Sequence, residues 1–376
     1  MREYFLVFAV ALVVTFAVTP AVRWSAIRLG AITPVRDRDV HKTPIPRMGG
    51  VAILIGFLSA VAVGSQLPHL HCIIRTDPVA CGPGSAGEIK GIVIGAILIT
   101  LVGAIDDVRE LDWLTKLSGQ IIAGGVMAYS GVQLLSLPIL GVTVLPSPVL
   151  VVLTIGIVLV TTNAVNFVDG LDGLAAGIVA VAAFSFFLYV YGVSYRYNPP
   201  NVFSTATFVS AATVGCCAGF LPHNFHPARL FMGDAGALLL GLLMAATTIT
   251  FIGNVDPAVP TSGNEQLAMY LPILLPLAVI VIPLLDMTLA VIRRTRRGQS
   301  PWSPDAQHLQ HQLLGLGHSH MGAVLLLYLW AGIVAFGAVA LAYVEGPVPL
   351  FLIAGAMAGA LWLTGRFPKW LEHKRL

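Results

Sequence analysis

The sequence predicts an all-α, polytopic integral membrane protein with about eleven transmembrane helices. Three observations carry that prediction. Of 376 residues, 57% are hydrophobic and 10% charged, against about 25% charged in a typical soluble domain. Apolar runs of about 17–25 residues, the length a helix needs to cross a bilayer, recur to the C-terminus. Lys and Arg also segregate into alternate connections between those runs.

The first span, 4–27, contains the apolar run from Tyr4 to about Ala21. That run exceeds the roughly 7–15 residues of a signal-peptide core, and no small-x-small cleavage site precedes Arg23, so a spanning helix is expected rather than a cleaved leader. Further spans are predicted at 49–68, 89–105, 117–135, 148–163, 173–192, 202–221, 235–253, 267–292, 321–343 and 347–365. No internal repeat and no long linker divides them, so one transmembrane domain over 1–376 is expected.

Eleven spans place 28–48, 106–116, 164–172, 222–234, 293–320 and 366–376 on one side of the membrane. Those segments hold 16 of the 21 basic residues. The positive-inside rule makes that side cytoplasmic, with the N-terminus external and the C-terminus internal. Four cysteines without close metal-ligand pairing exclude a zinc ribbon. Cys216 and Cys217 lie in an apolar run and are expected to pack as small hydrophobes. Cys72 and Cys81 share a polar external loop where an oxidising compartment would permit a disulfide. No nucleic-acid partner is expected.

Every polar cluster falls on the cytoplasmic side. The densest is Asn163-Ala-Val-Asn166-Phe-Val-Asp169-Gly-Leu-Asp172-Gly173, directly after an apolar run. A central Asp costs roughly 2.5–3.5 kcal/mol on insertion scales, so this stretch lies at a membrane surface or lines a polar cavity. Its four polar side chains step by three residues. On a straight helix each step drifts by about 60° and the first and last would oppose each other. Gly170 and Gly173 therefore predict a break near Gly170 that folds the carboxylates back towards the asparagines.

Asp106 and Asp107 end the third span. Adjacent carboxylates diverge by about 100° on a helix, so they are expected to take different roles. Before the second span, Asp37 to Gly50 carries His41, Lys42 and Arg47, a surface suited to lipid or nucleotide phosphate, with Gly49 and Gly50 permitting close backbone approach. In Phe231-Met-Gly233-Asp234-Ala-Gly236, Asp234 fits either a metal ligand or a helix N-cap. The longest internal loop carries Arg293, Arg294, Arg296 and Arg297, then His308 and His311, whose i, i+3 spacing lets both reach one phosphate or sugar. Oxygen-rich sets of this kind suit Mg²⁺ or Mn²⁺ bound jointly with phosphates. No P-loop, nucleophile elbow or dinucleotide fingerprint competes with that reading.

Together these motifs resemble the polyprenyl-phosphate N-acetylhexosamine-1-phosphate transferases. The resemblance runs from the His41–Gly50 loop to His320, and is greater to the WecA and TagO branch than to MraY, whose Pro-x-His-His-His-Phe pattern is missing. It implies transfer of GlcNAc-1-phosphate from UDP-GlcNAc to a membrane polyprenyl phosphate in a bacterial plasma membrane. The products would be UMP and polyprenyl-diphospho-GlcNAc, the first lipid-linked sugar of a cell-envelope polysaccharide. It also implies Mg²⁺, with Mn²⁺ as a substitute, and a homodimer as a family-level expectation. Asp234 would be the principal metal ligand with Asn166 nearby. Asp106 and Asp107 would serve the lipid phosphate, and Asp169 and Asp172 the nucleotide and metal site. His308 and His311 match the outer histidines of the branch's His-x-His-His motif, while Gln310 and Gln312 replace an expected His and Arg. Arg293 to Arg297 then become candidates for neutralising the diphosphate. The alternatives are a phospho-MurNAc-pentapeptide transferase and, from another class, a secondary transporter, whose midplane site and repeats this sequence lacks.

Overall fold

The computed structural model describes residues 1–33, 44–75, 86–134, 137–138, 142–143, 146–197, 203–253, 292, 295–296, 298, 309–344 and 346–373. They form helices α1 (Arg2–Leu29), α2 (Gly49–Gly64), α3 (His71–Ile74), α4 (Ala86–Arg109), α5 (Trp113–Tyr129) and α6 (Ser147–Val168). After these come α7 (Leu174–Tyr197), α8 (Thr205–Asn224), α9 (Gly233–Gly253), α10 (Leu309–Gly315), α11 (His320–Tyr343) and α12 (Val348–His373). Two short antiparallel ribbons join Ile32–Thr33 to Ile45–Pro46 and Leu137–Pro138 to Val142–Thr143. Among the described residues eight helices are long and apolar enough to cross a membrane, and α2 is a shorter apolar one. The protein is an all-α polytopic membrane protein. Ten of the predicted spans fall on helices; 267–292 lies outside the described residues except for Ile292.

Two boundaries differ from expectation for local reasons. The connection expected at 106–116 shrinks to Glu110–Asp112, because the Asp112 carboxylate accepts from Thr115 N (3.1 Å) and caps α5 early. Helix α6 runs on to Val168, where Asn163 finds interior partners: its Nδ2 donates to Leu159 O (2.8 Å) and to Gln120 Oε1 (2.7 Å).

Helix α9 is the axle. It packs against α2, α4, α6, α7 and α8, and 94% of its spanning window is buried, against 11% for α12. Small residues let backbones meet there, as in membrane helix pairs generally. A Cβ on Gly50 would collide with Ala235 C and Gly236 N, so α2 and α9 touch main chain to main chain.

Contacts at the two ends sort the connections. At one end the start of α1 meets the exit of α2 and the start of α8. There Glu3 Oε1 lies 2.6 Å from His69 Nδ1, and Ser204 N donates to Tyr4 O–H (3.1 Å). Cys72 follows α2 at this end and is disulfide-bonded, while Cys81 lies outside the described residues. The ends of α4 and α6 and the start of α9 meet at the other end. Cys216 and Cys217 are buried, and the Cys216 thiol faces Ile53 O at 3.5 Å, as expected of small hydrophobes.

Candidate active site

The backbone breaks where the glycines predict. Helix α6 ends at Val168, α7 starts at Leu174, and Gly173 adopts φ +79°, a conformation natural to glycine. Three partners hold that turn. Gly173 N donates to Asn224 Oδ1 (3.1 Å), Asn224 Nδ2 donates to Leu230 O (3.1 Å), and the Tyr328 hydroxyl donates to Gly173 O (2.5 Å). Buried Asn224 thus ties the α6–α7 turn to the segment that leads into α9.

That segment is fixed from its other side by the chain before α2. Phe231 N donates to Pro46 O (2.8 Å), Gly49 N to Phe231 O (3.0 Å) and Gly50 N to Met232 O (3.0 Å). This corrects the expectation for Gly49 and Gly50. Their amides and their close approach serve the Phe231–Gly236 backbone, which leaves those donors unavailable to a phosphate.

Asp234, second residue of α9, stands at the meeting point. The N-cap alternative for it is excluded by Asp107, which arrives from α4 and caps α9 in trans. Asp107 Oδ1 accepts from Asp234 N (2.9 Å) and Oδ2 from Ala235 N (3.2 Å). A buried carboxylate facing a helix N-terminus is stabilised by those amides and by the helix dipole. The Asp234 side chain is left for other work. Its Oδ1 accepts from Asn166 Nδ2 (2.9 Å), and its buried Oδ2 accepts no well-directed hydrogen bond while the Lys116 ammonium presses against it as an ion pair. Lys116 also reaches Asp106 Oδ2 (3.4 Å), and Asp106 Oδ1 accepts from Leu111 N (2.8 Å). The two adjacent carboxylates therefore do diverge: Asp107 inward to α9, Asp106 to the α4–α5 turn and Lys116.

Beyond the break, Asp172 Oδ2 accepts from Ala228 N (3.1 Å) and lies 2.8 Å from His226 Nδ1, while the His226 ring stacks on His320 at 4.2 Å. Asp169 feels both groups. Burial above all, then the charges of Asp107 and Asp172, push its carboxyl up to about 7. Its surface keeps some solvent contact, but dense protein around it limits hydration.

Asp106, Asp107, Asn166, Asp169, Asp172 and Asp234 thus gather at one end of the bundle. Asn163 turns inward to Gln120 and Leu159. His41, Lys42, Arg293, Arg294, Arg297 and His308 lie outside the described residues, Arg296 is exposed, and His311 sits on α10. Sequence reasoning missed Lys116, Asn224 and the His226–His320 pair. The signal for Lys116 was its position one turn into a helix that follows Asp106-Asp107 after five residues.

The profile of glycosyl transferase family 4 matches residues 89–252. The decaprenyl-phosphate N-acetylglucosaminephosphotransferase of Mycolicibacterium smegmatis is 41% identical over 97% of this chain and 88% of its own. The chain belongs to glycosyl transferase family 4. The matched stretch of the family runs from α4 to the end of α9, which holds every carboxylate of the site. A probable undecaprenyl-phosphate N-acetylglucosaminyl 1-phosphate transferase of Bacillus subtilis is 30% identical over 92% of this chain and 87% of its own. A phospho-N-acetylmuramoyl-pentapeptide-transferase of Desulforudis audaxviator is 35% identical over a shorter share, 64% of this chain and 74% of its own.

Proposed function

We propose that this family 4 member transfers GlcNAc-1-phosphate from UDP-GlcNAc to a polyprenyl phosphate, releasing UMP and initiating a cell-envelope polysaccharide. The observation that carries the reading is the meeting of Asp234, Asn166 and Asp107 at one end of the bundle, where the buried Asp234 Oδ2 already faces a cation, the Lys116 ammonium. The extensive match to N-acetylglucosamine-phosphate transferases supports the sugar.

The donor set is made of oxygens, the chemistry that suits Mg²⁺ or Mn²⁺. Asp234 and Asn166 would hold such an ion. When bound, it supplies charge neutralisation across the pyrophosphate. The rest falls to the chain. Asp107 acts as a positioning residue, since both its oxygens already serve α9 and neither is available as a base. Lys116 brings an ammonium to the same carboxylates, available to the developing phosphate charge. Asp106 orients Lys116. Asp169 and Asp172 flank the nucleotide.

Transfer is one in-line displacement. An oxygen of the lipid phosphate forms the new bond to the β-phosphorus, and the bond from that phosphorus to the UMP oxygen breaks. The second ionisation of a phosphomonoester lies near pH 6, so the nucleophile is largely dianionic at pH 7 and alignment matters more than a base. UDP-GlcNAc/UMP exchange in the absence of lipid phosphate would refute this one-step scheme. Basic residues concentrated in the connections on the site's side, and a disulfide-bonded Cys72 at the opposite end, support a cytoplasmic active site in a bacterial plasma membrane.

Purified protein offered UDP-GlcNAc, UDP-GalNAc and UDP-MurNAc-pentapeptide in turn tests the assignment. UMP release with UDP-GlcNAc alone is expected. Preference for the pentapeptide donor would instead favour the reading that the Desulforudis relative raises.

A further inference from the structure

Asp172, His226 and His320 come from three separate segments: the α6–α7 turn, the chain between α8 and α9, and the first residue of α11. One potential ligand atom from each lies within 4.8 Å of the other two. Nothing in the transfer scheme uses the histidines. Both ring nitrogens of His320 are buried and make no hydrogen bond, an unfavourable state for a polar group. The ring is nevertheless held in place. Ser319 caps α11 by accepting from Gly322 N (3.1 Å), and the His226 ring stacks on His320 with 16° between planes. Asp172 is oriented in turn by Ala228 N.

From this geometry we infer a second metal site, formed by Asp172, His226 and His320 and selective for Zn²⁺ or a similar transition ion over Mg²⁺. Two imidazoles and one carboxylate are the donor class of zinc sites, unlike the oxygen set around Asp234. Bonds of about 2.0–2.1 Å in a tetrahedral arrangement would separate His226 Nδ1 from Asp172 Oδ2 by about 3.3 Å. They stand 2.8 Å apart without an ion, so the site needs a movement of about half an ångström. The His226 side chain is 40% exposed, so a shift of that size displaces little packing. An ion here gives one of the two His320 ring nitrogens a partner and ties α11 to the α6–α7 turn. The site shares Asp172 with the proposed transfer site, but its metal-binding test reads no transfer activity.

The test uses full-length, detergent-solubilised protein stripped of metal. Zn²⁺ is added in competition with a chromophoric chelator in the presence of excess Mg²⁺. One tightly bound Zn²⁺ per chain is expected. His226→Asn and His320→Asn should each weaken it at least about tenfold, and Asp234→Asn should leave it unchanged. Thermal melts of each variant establish that it is folded, and His226, the more exposed of the two histidines, supplies the variant that disturbs packing less. No stoichiometric Zn²⁺ binding, or binding that survives both histidine substitutions, overturns the inference.

Discussion

Asp107→Asn separates a positioning role for Asp107 from a purely chemical one. The wild-type carboxylate is 6% exposed and accepts from two consecutive amides at the start of α9. The carboxamide keeps one acceptor and turns an NH₂ towards the other amide, leaving one buried N–H without a partner. That loss costs about 1–3 kcal/mol. Removing the negative charge from the helix N-terminus adds about 0.3–1 kcal/mol, and relief of carboxylate desolvation offsets part of the sum. The net expectation is a loss of about 1–3 kcal/mol, with Asp107→Ala losing more because both amides are orphaned. Unfolding by SDS in mixed micelles, without substrate or metal, reads the stability directly. UMP release should fall in the same order, since Asp234 rides on the amide that Asp107 holds. Unchanged or increased stability of both variants would refute trans-capping, and a base role would regain its place.

Other outcomes follow from the same geometry. Gly50→Ala forces a methyl into the α9 backbone, and overpacking of this kind costs about 1–3 kcal/mol; a melting temperature equal to wild type would contradict the close approach. The carboxyl of Asp169, pushed up to about 7, carries a proton in a large share of metal-free molecules at neutral pH. A cation at Asp234 favours its ionised form, so Mg²⁺ binding should release protons and tighten as pH rises towards about 7.5, then level off. Calorimetric titration in two buffers of different ionisation enthalpy measures that release; none between pH 6.5 and 7 would contradict it.

The membrane fold was legible because apolar runs of bilayer length leave a chain few alternatives. The break near Gly170 was legible too, since i, i+3 spacing on an unbroken helix would scatter Asn163, Asn166, Asp169 and Asp172. What remained illegible depends on segments far apart in sequence. The spacing around Asp234 permits an N-cap, and nothing local reveals that Asp107, 127 residues earlier, takes that role. Gly49 and Gly50 looked suited to phosphate because glycine permits any close approach, and the sequence does not name the neighbour. Asn163 fits the repeating pattern of polar residues yet faces Gln120, which lies in another helix. Lys116 read as one more basic residue of a connection until Asp112 capped α5 and carried it to Asp234.

The central claim is that Asp234 anchors the divalent ion on which phosphosugar transfer depends. UMP release from UDP-GlcNAc with polyprenyl phosphate, measured for Asp234→Asn across a wide Mg²⁺ range, tests it most directly. No turnover at any Mg²⁺ concentration is the expected result, provided that the variant melts like wild type. Near-normal release would remove Asp234 from the metal site and contradict the account.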